Sequence, residues 1–140
     1  MKYQTILNPV TFAIPWWERY PRRFEQEAAL MEEHTNAWHS VQDGYLVWNE
    51  AIYNCYDTPF DIAIVHQHRH PFDDPRAFVI FPEIRPSMSY HMFGDGHLCL
   101  SMNGELDSAT TALTVRNLAC LWVSAYEVYM RTGEWITRQH

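Results

Sequence analysis

Three aromatic and β-branched runs, Tyr45–Tyr53, Phe60–Val65 and Ala77–Phe81, follow one another with no helical stretch between them, and this succession constrains the fold most. Parallel neighbours need a long crossover, usually a helix, so strands joined only by short turns must pair antiparallel. The link Asn54-Cys55-Tyr56-Asp57-Thr58-Pro59 has turn composition, and the third run stops at Pro82. Downstream the hydrophobic period changes from two to 3.6. Val115, Leu118, Ala119, Trp122, Ala125, Tyr126 and Tyr129 share one broad face of a helix over Leu113–Met130, and Gly133 supplies a stop. Upstream, Pro21–His34 reads as a helix: proline suits its first turn, Phe24, Ala28 and Met31 recur at i, i+4 and i+7, and Glu25, Glu32 and Glu33 can face water. The expected fold is α+β, with an antiparallel meander of three to four strands packed against the long helix and the N-terminal helix beside it.

A chain of 140 residues is expected to form one domain, 1–140, around one core. With 47% hydrophobic residues it has the means to fill that core, and no stretch of about 18 uncharged apolar residues suggests a membrane span. The early sequence, broken by Asn8, Pro9 and Pro15, lacks the continuous apolar stretch of a signal peptide, so a cytoplasmic location is expected. Seventeen acidic against ten basic residues give a net charge of −7, which repels a nucleic-acid backbone, and apart from Arg22-Arg23 the basic residues are scattered. Cys55, Cys99 and Cys120 are an odd set without a CxxC pair, which argues for reduced thiols over a disulfide scaffold or a structural zinc site.

The most unusual segment is His91-Met92-Phe93-Gly94-Asp95-Gly96-His97-Leu98-Cys99-Leu100-Ser101. A Gly94-Asp95-Gly96 turn can fold the chain back, hold Cys99 in a shallow loop and bring His91 within side-chain reach of it. A histidine there can polarise the thiol or donate a hydrogen bond to an oxyanion on an attacked carbonyl. Composition alone leaves a second reading open, in which Leu98-Cys99-Leu100 is a buried strand. Cys120, within Leu118-Ala119-Cys120-Leu121-Trp122, reads as a small core residue, and Cys55 as an exposed turn residue with no general base beside it.

Two motifs and their separation resemble the ubiquitin-conjugating (UBC-like) enzymes. His70-Pro71-Phe72-Asp73-Asp74-Pro75-Arg76-Ala77 is similar to that family's Tyr-Pro-Phe-x-x-Pro-x-Val, and Gly96-His97-Leu98-Cys99-Leu100 to its Gly-x-Ile-Cys-Leu. A long helix entered through Leu113-Thr114 follows, and the likeness spans roughly residues 20 to 130. The resemblance implies that Cys99 is the catalytic residue carrying an acyl group as a thioester. Counting back from Cys99, the positions of the family's His-Pro-Asn hold Ser89, Tyr90 and His91, so His91 stands in place of the oxyanion-supporting asparagine as a second catalytic candidate. The family's tryptophan after the cysteine is replaced by Asp107, and its two C-terminal helices have no counterpart. Such a shortened form resembles the bacterial stand-alone conjugating enzymes of anti-phage cyclic-oligonucleotide signalling (CBASS) operons. That resemblance implies a partner, a cGAS-like nucleotidyltransferase donating its C-terminal glycine, an acceptor amine, and no cofactor.

Rival readings remain at this level. His66, His68 and His70 alternate, and with His91, His97 and Cys99 they contain enough donors for zinc, although alternate positions on an extended segment project the three imidazoles to one side about 6–7 Å apart and no familiar metal frame is present. A UBC-like domain can also serve as a non-catalytic binding module. A cysteine protease is disfavoured because no helix start adjoins Cys99. Trp48 and Trp122 are expected in the core, while Trp16-Trp17 is as well suited to a partner surface as to the interior.

Overall fold

The computed structural model describes residues 14–100 and 110–136. A short helix α1 (Trp16–Arg19) leads into α2 (Pro21–His34), followed by strands β1 (Trp38–Gln42), β2 (Tyr45–Tyr53), β3 (Pro59–Val65) and β4 (Arg76–Phe81), a 3₁₀ turn (Met88–Tyr90) and the long helix α3 (Ala112–Thr132). The strands form an antiparallel sheet in the order β1-β2-β3-β4. The α+β expectation holds, and the fourth strand is β1, whose polar sequence Trp-His-Ser-Val-Gln has no apolar run to mark it. Its partner is fixed by Asp43-Gly44, both at positive φ (52° and 86°), the conformation that a two-residue hairpin requires.

Period-two alternation sorts the strands into two faces. Leu46, Trp48, Ile52, Phe60, Ile62, Ile64, Ala77 and Val79 point inward, where they meet Val115, Ala119, Trp122 and Val123 of α3 and Met31 of α2. Tyr45, Val47, Ala63, Val65 and Phe78 form a second cluster, on the opposite side of these strands. The buried face of α3 is apolar at helical spacing, and its N-terminus is capped by Thr111 Oγ1, which accepts from the Thr114 amide. Gly133, at φ +78°, closes it. Trp48 and Trp122 lie in the core as expected; Trp16 does too, at 1% exposure, so it is no part of an exposed partner surface.

A polar network crosses this core. Glu27, on the inner face of α2 and fully buried, accepts from the Ala112 amide at 2.9 Å and from Arg23 Nε at 3.0 Å, and lies 3.0 Å from His70 Nε2. Arg23 also donates to the Thr110 carbonyl at 3.1 Å. One carboxylate thereby ties α2, the His70-Pro71 turn and the entry to α3 together.

Candidate functional site

The cysteine segment is a tight reversal. Gly96 N donates to Phe93 O and Phe93 N to His97 O, at 2.8 and 3.0 Å, and Asp95 Oδ1 accepts from the His97 amide at 3.0 Å. Gly96 sits at φ +95°, which a side chain would resist. Beyond this turn Met92 pairs with Leu98, and the Cys99 amide donates to the His91 carbonyl at 2.8 Å. Leu98 and Met92 are buried in the main core, while Cys99 and His91 are half-buried. The second reading of Leu98-Cys99-Leu100 is therefore half right: Leu98 is the buried residue, and Cys99 reaches the surface.

Cys99 and His91 line one cleft of about 270 Å³. The rest of its lining is mostly apolar, including Leu118, Leu121, Trp122, Ala125 and Val128 of α3, with Cys55 from the β2–β3 turn and Trp135-Ile136 from the segment after α3. Cys55 is placed by Asn54, whose Oδ1 accepts from the Tyr56 and Thr58 amides at 2.9 Å while its Nδ2 reaches Glu127 of α3 at 3.2 Å. Ser124 Oγ of α3 accepts from the Cys55 amide at 3.0 Å. His91 occupies the left-handed region (φ 59°, ψ 46°) as the cap of the 3₁₀ turn, with its ring against the Trp135 indole, centroids 4.8 Å apart. Trp122 Nε1 donates to the Tyr90 carbonyl at 2.9 Å, fixing the backbone just before His91 to α3.

A cleft lined by a half-buried thiol, an imidazole and an apolar floor can hold an acyl chain against water while leaving its reactive carbon accessible. Cys120 lies on α3 outside this lining, and burial pushes its thiol up. His97 also lies outside it: its Nδ1 is 2.6 Å from Asp95 Oδ1 and its ring stacks on Phe93 and approaches Phe78, which belongs to the opposite face of the sheet. Burial lowers the His97 proton affinity, with Asp95 working the other way. Asp107 lies outside the described residues.

The alternating histidines do not project to one side. Strand β3 ends at Val65, and the turns that follow carry His68 away to stack on Tyr45 at 4.2 Å, while His66 and His70 converge with ring centroids 4.2 Å apart in the core. Glu27, His66 and His70 each offer a ligand atom within 4.8 Å of the others. Those atoms are already engaged: Trp48 Nε1 donates to His66 Nε2 at 3.0 Å, and Arg23 Nε lies 3.0 Å from Glu27 Oε2 and 3.2 Å from His70 Nε2. A guanidinium thus supplies the positive charge that a metal would bring, and the group fits a structural network better than a zinc site. With Nε2 of His66 accepting, its proton is on Nδ1, which has no partner among the described residues; the same is true of His70 Nδ1.

Glu27 and Trp135 were not singled out by the sequence. Helical spacing does place Glu27 with Phe24 and Met31 on the inner face, but a glutamate there reads as solvent-facing until its partners are known. Searches of curated proteins and of solved structures return no significant match. The model of the type II CBASS E2 protein family matches residues 26–140, a span holding every element that builds the cleft, and the chain belongs to that family.

Proposed function

We propose that this E2-like protein of CBASS anti-phage defence is a UBC-like conjugating enzyme that carries the C-terminal acyl group of a partner protein as a thioester on Cys99 and passes it to an amine. The single observation that carries this reading is the hydrogen bond from the Cys99 amide to the His91 carbonyl, which keeps thiol and imidazole in one cleft. A carboxylate does not esterify a thiol unaided, so the donor carboxyl arrives activated, as an acyl adenylate or another thioester. The Cys99 thiol gives up its proton to solvent, its sulfur attacks the carbonyl carbon, a C–S bond forms, and the activating group departs with the electron pair of the bond that breaks. An amine then attacks the same carbon, the C–N bond forms, the Cys99 thiolate leaves, and the ammonium proton passes to a base. His91 donates its N–H to the oxyanion, or in its other protonation state accepts that proton.

The donor in this reading is a cGAS-like nucleotidyltransferase ending in glycine, met in the bacterial cytoplasm; membership of the type II CBASS E2 family supports a protein partner from that system. No helix among the described residues is long and apolar enough to cross a membrane. The test is a non-reducing gel of the protein incubated with its co-encoded partners, with and without added thiol. A thiol-labile adduct that disappears in Cys99→Ala supports the enzyme. An adduct unchanged in Cys99→Ala, or partner binding without any thiol-sensitive adduct, replaces it with a binding module whose apolar cleft holds the partner non-covalently.

A further inference from the structure

We infer that Trp135 is the positioning residue for His91, an inference that rests on the reading of Cys99 and His91 as the conjugation site. The backbone of His91 is held on both sides: its amide donates to Met88 O at 3.2 Å and its carbonyl accepts from Cys99 at 2.8 Å. What stays adjustable is the ring, through two side-chain torsions. Among the described residues no side chain hydrogen-bonds that ring, and the ring contact it makes is with Trp135, at 4.8 Å and an interplanar angle of 34°.

The indole is delivered by the end of α3. Gly133, in the left-handed region, turns the chain at the helix terminus, and the Glu134 amide donates to Thr132 Oγ1 at 3.1 Å. Trp135 is braced there by Trp122 and Tyr129, with centroids 6.0 and 6.3 Å away. Trp122 in turn holds the Tyr90 carbonyl. One aromatic cluster therefore fixes the backbone before His91 and the face of its ring, and leaves the ring edge for the reacting carbonyl. An imidazole used as an oxyanion donor acts only within a narrow range of distance and direction, so a contact that restrains the ring affects discharge of the acyl group more than its loading.

Cys99 is first acylated with a small thioester of N-acetylglycine, and discharge to hydroxylamine is followed by mass spectrometry. Trp135→Ala is expected to slow discharge roughly three- to ten-fold, the size of one aromatic contact. Trp135→Phe restores most of the rate, and Trp135→Ala adds nothing in a His91→Ala background; a merely structural role would slow both backgrounds alike. Slowing in both backgrounds, or none where His91→Ala does slow discharge, overturns the inference and leaves the reading of the site standing. No slowing by His91→Ala overturns the assignment of both residues. Acylation of Cys99→Ala as readily as the wild type sinks the conjugation reading. The inference is then still decided by NMR of the His91 ring, whose ring-current displacement persists in Trp135→Phe and vanishes in Trp135→Ala; a spectrum unchanged in Trp135→Ala overturns it.

Discussion

The Glu27 carboxylate accepts from the backbone amide of Ala112, the first residue of α3, across 85 positions of sequence. The amide is one of the orphan donors at a helix N-terminus, and the carboxylate that takes it is itself neutralised by Arg23 at 3.0 Å. Removing the charge leaves a guanidinium poorly compensated in the interior. Glu27→Gln is expected to cost about 3–5 kcal/mol, the usual loss for breaking one side of a buried pair. Urea denaturation of the variant measures it, and a loss under ~1 kcal/mol would show that the network is peripheral to stability.

His66 gives stability a pH dependence. Burial, then neighbouring His70 and Arg23, push its proton affinity well below the ordinary value of 6.5, so it is neutral in the fold. The unfolded chain takes up a proton below pH 6.5 that the folded chain refuses. Stability is therefore full above that pH and falls beneath it, by up to about 1.4 kcal/mol per unit. His68 and His97, also lowered by burial, act in the same direction. Urea midpoints at pH 7.5 and 5 should differ, and the difference should shrink in His66→Gln; equal slopes would assign the effect elsewhere.

Replacing the thiol by a hydroxyl separates carrying from folding. Cys99→Ser should convert a thiol-labile adduct into an oxyester that survives reducing agent, because an alkoxide is the poorer leaving group. Cys99→Ala should form none. Both should melt within a few degrees of the wild type, since the side chain is half-buried and its neighbours Leu98 and Met92 supply the core contacts.

Loss of the imidazole should act on transfer. His91→Ala is expected to slow discharge to amine by about 10²–10³-fold, typical of one missing oxyanion donor, and to leave loading nearly unchanged if the donor is already activated. Rapid-quench measurement of the two half-reactions distinguishes this from a uniform loss, which would mean a displaced loop.

Asn54 holds the far wall of the cleft. Both turn amides on its Oδ1 and the Glu127 contact on its Nδ2 are lost in Asn54→Ala, an expected cost of about 1–3 kcal/mol for stranded polar groups. Faster alkylation of Cys55 should accompany it, read by peptide mass spectrometry; an unchanged rate would mean that the turn keeps its shape without the side chain.

The three main strands and both longer helices were legible because each is an apolar pattern of one period: Tyr45–Tyr53 matches its strand and Pro21–His34 its helix at both ends. Strand β1 was not, since a polar strand at the sheet edge has little hydrophobic signal; Asp43-Gly44 was the one local clue. At the site, glycine spacing announced the turn that brings His91 beside Cys99. The cleft itself was not legible, because Cys55, Leu121 and Trp135 meet only through tertiary packing. The histidine trio misled for a related reason: an alternating pattern implies a shared face only while the strand continues, and β3 ends before His66.

Strand β4 is an edge of the sheet, and the cysteine segment lies along part of it: Leu98 N donates to the Ala77 carbonyl at 2.9 Å and His97 bridges to Phe78. An open strand edge offers unsatisfied peptide groups to any other chain in extended conformation. The segment that carries Cys99 is thus also a cover against self-association, and its two placements, along the sheet edge and in the cleft wall, constrain each other. Mobility gained around Cys99 would bare the edge at Ala77–Phe78, so variants selected for a more open site would tend toward aggregation before they lost their helices.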